Sequence, residues 1–163
     1  MKLSELYKAA VTTGIENDPR GEEAVKKVLA DEKKRFDGLK DDEKRDYDPE
    51  KLSNPYADTR ILNGTGEEEI KSALVGIDME TPELLLLEAL RRGGKKIDMA
   101  ICHHPEGRAY ANLHEVMYVH SDVLNKFGVP INVAEAIMEP RIREVSRRVM
   151  PQNHTRATDA ARL

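Results

Sequence analysis

The chain has 163 residues, of which 39% are hydrophobic and 34% are charged, and its formal net charge is -4 at pH 7. This length suits one domain with a genuine core. The acidic balance provides no global basic field, so we expect neither nucleic acid nor a membrane as a partner. A single cysteine excludes an internal disulfide framework, and no apolar run is long enough to span a bilayer. With no signal-peptide core at its start, we expect a cytoplasmic protein.

Residues 1–57 are predicted to form a charged, helical extension. Apolar residues recur at helical spacing from Leu3 to Val11, which predicts a first helix. Asp18 before Pro19 is typical of a helix start, and the second helix is predicted to continue to Arg45. Because both charge signs alternate along it, we interpret this helix as solvated.

Residues 58–163 are predicted to form an α/β domain. Residues 59–62 and 70–79 resemble two strands of an antiparallel hairpin, joined by a turn at 63–66. A leucine-rich helix then begins at Thr81-Pro82, and a Gly-Gly pair leads into another strand. We therefore expect a mixed sheet with a strand–helix–strand crossover flanked by helices, in which the leucine-rich helix is buried on more than one side.

The segment 96–106, KIDMAICHHPE, is the part of the chain most indicative of chemistry. Its apolar run predicts a buried strand that ends at His103 and His104, and ligands bind at the carboxyl ends of strands in open α/β sheets. Pro105 favours an extended backbone at His104, and successive extended residues point to opposite sides. Either each histidine serves a different metal ion, or one is a ligand and the other supports it, or both are simply solvated.

Two neighbours of the histidines are also of interest. A right-handed crossover would place Asp78 at the same sheet edge as His103, where its carboxylate either orients a ligand histidine or forms a turn. Cys102 carries a thiol that suits soft metals. A cysteine inside a strand is more often a small buried hydrophobe, so we expect it to be buried and unreactive.

Three more helices are predicted after the histidines. The first covers residues 112–127 and carries His114 and His120 in surface or interface positions. The second starts at Asn132 and passes through Pro140, which predicts a kinked helix or two short ones. The last begins near residues 153–155 and is still apolar at Leu163, so we expect the natural chain to continue further.

The segments around and after the two histidines resemble those of a known family. The order VGIDMETPELLLLEALRRGGKKIDMAICHHPEG, extended by NLHEVMYVHSDVLNKFGVPINVAEAIMEPRI and NHTRATDAARL, is similar to the NIF-three-like family, also labelled GTP cyclohydrolase 1 type 2 proteins. It resembles the subgroup with a helical amino-terminal extension and matches the amino-terminal part of such proteins. The resemblance covers residues 60–163 best, and PRGEEAV and NPYADTRIL extend it towards the start.

The resemblance implies an α/β protein that forms ring-like homo-oligomers and holds two divalent transition-metal ions. His103 and His104 occupy the positions of two metal ligands, one for each ion. The other ligands of the family, an aspartate in a later strand and a carboxyl-terminal His and Glu, have no matching positions up to Leu163. The resemblance therefore implies half of a metal site in these residues.

Two classes of function remain open from the sequence. One is a metal-dependent, hydrolase-like enzyme of unknown substrate, with nucleotide or cyclohydrolase chemistry suggested by the family label, and with Zn, Fe, Ni or Mn suited to the imidazoles. The other is a non-catalytic, oligomeric binding or regulatory protein with a structural metal site. The label is weak evidence for a nucleotide, because the turn at residues 63–66 lacks the Gly-Lys-Ser/Thr ending of a phosphate-binding loop.

Overall fold

A computed structural model describes every residue from Met1 to Leu163. The helices in chain order are α1 (Leu3–Glu16), α2 (Glu22–Asp37), α3 (Asp41–Arg45), α4 (Thr81–Arg92), α5 (Gly107–Ala111), α6 (Tyr118–Lys126), α7 (Ile131–Val149) and α8 (Arg156–Ala160). The strands are β1 (Ala73–Gly76) and β2 (Met99–Cys102), and two 3-10 helices cover Pro49–Leu52 and Leu113–Met117. The predicted α/β class is confirmed.

The helical extension forms much as predicted, with different boundaries. The Glu5 carboxylate accepts a hydrogen bond of 2.8 Å from the Lys2 N–H and so caps the start of α1. Helix α2 begins after Gly21, whose φ of 94° suits glycine, and not at Asp18. It ends at Gly38, so the single helix predicted to reach Arg45 is wrong: α3 is separate from α2.

The predicted hairpin is also wrong. Residues 59–62 form no strand, and the antiparallel bridge in this region joins Glu69 to Lys2 instead. The Glu68 carboxylate accepts hydrogen bonds from the N–H groups of Thr65 (2.7 Å) and Gly66 (2.8 Å), which folds residues 63–68 into a loop. The start of α1 is therefore held against the segment that precedes β1.

Ion pairs hold the helical extension together and connect it to α6. The Asp18 carboxylate accepts hydrogen bonds of 2.9 Å from both the Arg20 guanidinium and the Tyr56 hydroxyl, and the Asp18 and Arg20 side chains are 1% and 6% exposed. Arg20 also reaches Asp122 of α6 at 3.4 Å. Only 15 of the 163 residues are buried, ten of them apolar and none of them charged, so this ion pair supplements a small apolar core.

The predicted crossover is present. β1 and β2 are parallel and pair from Ala73↔Met99 to Gly76↔Cys102, with α4 between them in the chain. Helix α4 begins where the Glu83 carboxylate accepts a hydrogen bond of 3.0 Å from the Glu80 N–H, and Gly94, with a φ of 91°, follows its end. The two strands and their connecting helix form the framework of the candidate site.

Burial within the crossover differs from the prediction. Leu87 of α4 is buried, but Leu85 and Leu86 are 66% and 53% exposed, so the helix is not enclosed on several sides. β2 is not buried either, because Ile101 and its β1 partner Val75 are both exposed. A sheet of two strands is too narrow to cover both faces of each strand, which is why the apolar pattern alone overestimated burial.

The helices after β2 pack together. The 3-10 helix Leu113–Met117 precedes α6 where one longer helix was predicted, and Phe127 at the end of α6 is 81% exposed and not on the inner face. α7 follows Pro130, not Asn132, and continues as one helix through Pro140. α8 packs against α4. None of these helices combines the length and apolar character that crossing a membrane requires.

Candidate metal site and adjoining cleft

The candidate site lies where the two parallel strands end. The His103 N–H donates to the carbonyls of Gly76 (3.0 Å) and Ile77 (3.1 Å), and the His104 N–H donates to Ile77 at 2.8 Å. Backbone pairing therefore continues beyond both strands. As a result the two histidines and Asp78 leave the sheet at the same edge, where ligands bind in α/β folds.

His104 and Asp78 are in direct contact. The His104 Nδ1 and the Asp78 Oδ1 are 2.8 Å apart, and both side chains are more than half exposed. Because a carboxylate accepts a proton from the nearer ring nitrogen, this contact assigns the proton to Nδ1 and leaves the lone pair on Nε2. An outward Nε2 lone pair on a ring oriented by a carboxylate is typical of metal-ligating histidines.

His103 lies beside His104. The two ring centroids are 5.3 Å apart with an interplanar angle of 37°, so the rings are neighbours and do not face opposite sides of the sheet. Within the chain, no three His, Cys, Asp or Glu side chains come together in a way that could hold a metal ion. The sheet edge therefore holds two neighbouring imidazoles and one carboxylate in contact with one of them, which is fewer donors than a complete metal site needs.

A cleft of about 530 Å³ adjoins His104. One wall comes from the strand ends and the loop after His104, and the opposite wall comes from the turn between α7 and α8. The residues that line it are Asp78, Glu80, His104, Pro105, Glu106, Tyr110, Leu113, Gln152, Asn153 and Arg156. Its volume is suited to a small molecule.

The cleft carries a net negative charge, since three carboxylates line it with one guanidinium. The guanidinium of Arg156 is hydrogen-bonded to Glu80, which connects α8 to the start of α4. Glu106 has no hydrogen bond or ion pair through its carboxylate. Burial, and then the neighbouring charge of Glu80, raise the pKa of Glu106 above its ordinary value, with Arg156 acting in the opposite direction.

The other residues considered from the sequence lie elsewhere or do not point to ligation. Cys102 is half-buried, and burial raises the pKa of its thiol, which disfavours the thiolate. His120 is exposed, with its Nδ1 3.0 Å from the Met117 carbonyl oxygen. His114 is half-buried and its Nδ1 has no partner. The ring is therefore partly covered within the chain, and the predicted surface or interface position of His114 stays a prediction.

Sequence reasoning missed most of the cleft. Asn153 was interpreted only as a helix start, and Gln152 and Arg156 had no interpretation, although all three line the cleft together with His104. His154 between them packs its ring edge-on against Tyr110, with centroids 5.5 Å apart. The only indication in the sequence that these residues belong to the site was that the segment NHTRATDAARL is part of the family resemblance.

The chain is similar to a solved protein structure. No family model and no curated protein matches the chain. The crystal structure of a NIF3 superfamily protein from Sphaerobacter thermophilus is similar, with a TM-score of 0.53 and 28% sequence identity. The match covers 66% of this chain. The resemblance to the NIF-three-like family is confirmed.

The similarity to the Sphaerobacter protein covers only part of each chain. This chain spans 40% of the length of the Sphaerobacter protein, so the similarity concerns part of that protein. The fold and the sequence both support the family resemblance inferred from the His-His-Pro segment. Metal ligation by His103 and His104, catalysis and assembly are not addressed by this similarity and stay predictions.

Proposed function

We propose that the chain contributes one side of a metal-dependent, hydrolase-like active site. His103 and His104 would be ligands of divalent transition metal, and Asp78 would orient His104. The observation that supports this most directly is the 2.8 Å contact between His104 Nδ1 and Asp78 Oδ1, because it fixes the ring and directs the Nε2 lone pair outward. The family resemblance of the His-His-Pro segment implies the same two histidines.

The donor set indicates the kind of metal. Imidazole nitrogens suit Zn, Fe, Ni or Mn better than Ca, and the family resemblance implies two ions in the complete protein. Such ions, when bound, polarise a substrate and activate water for hydrolysis. The chain itself positions the two imidazoles at the sheet edge, and the adjoining cleft provides space for a small-molecule substrate. Nucleotide or cyclohydrolase chemistry is a possibility drawn from the family label alone.

A non-catalytic function is the alternative, and exposed apolar surface favours it. Leu85 and Leu86 of α4, together with Val75 and Ile77 around β1, are each more than half exposed. Apolar side chains that remain uncovered in this way commonly mark interaction surfaces. In this alternative the protein is an oligomeric binding or regulatory protein in which the metal has a structural role.

Metal titration of the folded chain tests the site. We expect Zn²⁺ or Mn²⁺ binding measured by calorimetry to be lost in His104→Ala and weakened by about tenfold in Asp78→Asn, since removing the orienting partner of a ligand typically costs 10- to 100-fold in affinity. His120→Ala is the matched control, because His120 is exposed and remote from the cleft lining. Equal binding by all three variants would contradict the proposal.

Hydrolysis assays distinguish the enzyme from the binding protein. A panel of nucleotides is incubated with the chain, with and without added metal, and product formation is compared with that of His104→Ala. Metal-dependent turnover that His104→Ala removes would support the enzyme. Metal binding without turnover of any compound in the panel, combined with self-association, would favour the alternative.

A further inference from the structure

Glu106 is the one carboxylate of the cleft that the fold leaves without a partner. Asp78 is engaged by His104, and Glu80 is engaged by Arg156. Glu106 precedes α5, but its side chain makes no capping hydrogen bond to that helix. Its carboxylate thus has no structural role in the contacts of the chain, although it lines the cleft.

An unpaired carboxylate in a half-buried position is costly, because it loses part of its hydration without gaining a hydrogen bond or a counter-ion. A ligand that brings a positive charge or an N–H donor to Glu106 would remove that cost. A ligand that brings an anion would increase it.

The other residues of the cleft also favour a cationic ligand over an anionic one. Its single cation, Arg156, is already hydrogen-bonded to Glu80, so an anionic ligand would have to compete with a carboxylate of the chain. Pro105, Tyr110 and Leu113 line the cleft as well and offer apolar contact to a small ring. Charge and shape therefore both favour a compact, cationic ligand.

We propose that Glu106 is a specificity-determining residue, and that it accepts a positively charged nitrogen group so that the cleft binds cationic small molecules in preference to anionic ones. This inference uses the cleft of the proposed function, but it does not require that His103 and His104 bind metal. It predicts that the substrate group recognised here is an amine, amidinium or guanidinium and not a phosphate chain.

Three ring compounds of equal size test the proposal. Benzamidine is cationic, benzamide is neutral and benzoate is anionic, and each is titrated into the chain in EDTA while amide NMR shifts are recorded. We expect benzamidine to shift the amides of cleft residues such as Tyr110 and Asn153 and to bind several-fold more tightly than benzamide. Benzoate should not bind there. Binding of benzoate as tight as that of benzamidine, or no binding of benzamidine, would overturn the proposal.

A matched pair of variants tests whether benzamidine binding depends on Glu106. Glu106→Gln should weaken benzamidine binding by about tenfold, because a charge-assisted hydrogen bond becomes a neutral one. Glu88→Gln, at a solvent-exposed position of α4 outside the cleft lining, should leave it unchanged. Unperturbed NMR spectra away from the cleft would show that Glu106→Gln is folded. Equal affinity in Glu106→Gln and the parent chain would overturn the proposal.

A final comparison separates this inference from the metal proposal. Benzamidine titration is repeated without EDTA at saturating Zn²⁺. Continued binding supports a separate role for Glu106, whereas complete displacement by zinc would assign Glu106 to the ion and overturn the inference. If zinc binding proves independent of His104 while benzamidine binding still depends on Glu106, the proposed function fails and this inference stands.

Discussion

At the scale of single residues, Asp18 shows how ionised groups stabilise the helical extension. Burial alone would raise the pKa of Asp18, but hydrogen bonds from Arg20 and Tyr56 outweigh it and hold the pKa below its ordinary value of 3.8. A carboxyl group with a depressed pKa in the folded state contributes stability above its unfolded pKa. That contribution is lost as the pH falls through the folded pKa.

Asp18→Asn is predicted to lower the free energy of unfolding at pH 7 by about 3 kcal/mol, because it leaves the buried Arg20 without its main counter-ion. The difference between the two proteins should shrink at pH 3, which lies below the ordinary aspartate pKa of 3.8, because the unfolded chain binds a proton there while the pKa of folded Asp18 is held lower. Urea denaturation at both pH values measures this. Asp31→Asn, which removes an exposed partner of Lys27, is the control and should have little effect. A difference that stays constant with pH would contradict the explanation.

At the scale of secondary-structure elements, the crossover was predicted correctly and the predicted hairpin was wrong. The start and end of α4 depend on residues next to it in the chain, namely Thr81-Pro82, the leucines and the Gly-Gly pair. The sequence therefore predicted α4 and the strand before His103. The segment 59–62 has the residue types of a strand. It does not form one because the Arg60 guanidinium bonds the carbonyl oxygens of Tyr56 and Thr59 and pairs with Glu50 at 2.7 Å. Such side-chain contacts leave no periodic pattern in the sequence.

The same distinction applies to the candidate site. Asp78 and His103 follow adjacent strands, so topology alone predicted that they lie at one sheet edge. The direct contact that forms there is between Asp78 and His104. Arg156 is 76 positions from Glu80 along the chain, and only the packing of α8 against α4 brings them together. The wall of the cleft that carries Arg156 could not be placed from sequence spacing, because it depends on tertiary contacts.

Two leucines of α4 offer a direct test of which face of the helix is packed. Leu87→Ala should lower the free energy of unfolding by about 2–4 kcal/mol, since it removes a buried side chain and leaves a cavity. Leu85→Ala, at a 66% exposed position of the same helix, should cost less than about 0.5 kcal/mol. Chemical denaturation of both variants at low protein concentration provides the comparison. Similar losses for the two would mean that Leu85 is covered in solution.

At the scale of the whole molecule, uncovered apolar side chains are widespread. Leu85, Leu86, Val75 and Ile77 lie on the crossover, and Phe127, which follows α6, is also exposed. Large apolar side chains that stay uncovered commonly mark interaction surfaces. The homo-oligomer expected from the sequence is consistent with these exposures and stays a prediction.

Self-association through α4 is therefore predicted. Size-exclusion chromatography with light scattering, at a series of concentrations, should show a mass above 18.4 kDa that rises with concentration. Replacing Leu85 and Leu86 together by Glu should shift the protein towards the monomer, because burying the added charges would be costly. Val28→Glu on the charged helix α2 is the control. A monomer at every concentration, or association unaffected by the α4 changes, would contradict the prediction.

The long chain separation between the two walls of the cleft also has a consequence during synthesis. His104 and Asp78 are only 26 positions apart and can meet as soon as the crossover has left the ribosome, whereas the contact between Glu80 and Arg156 spans 76 positions. At roughly 5–20 residues per second, the second wall follows His104 after a delay on the order of several seconds. The nascent histidine is thus available to any ion or small molecule in its surroundings before the finished cleft can discriminate among them.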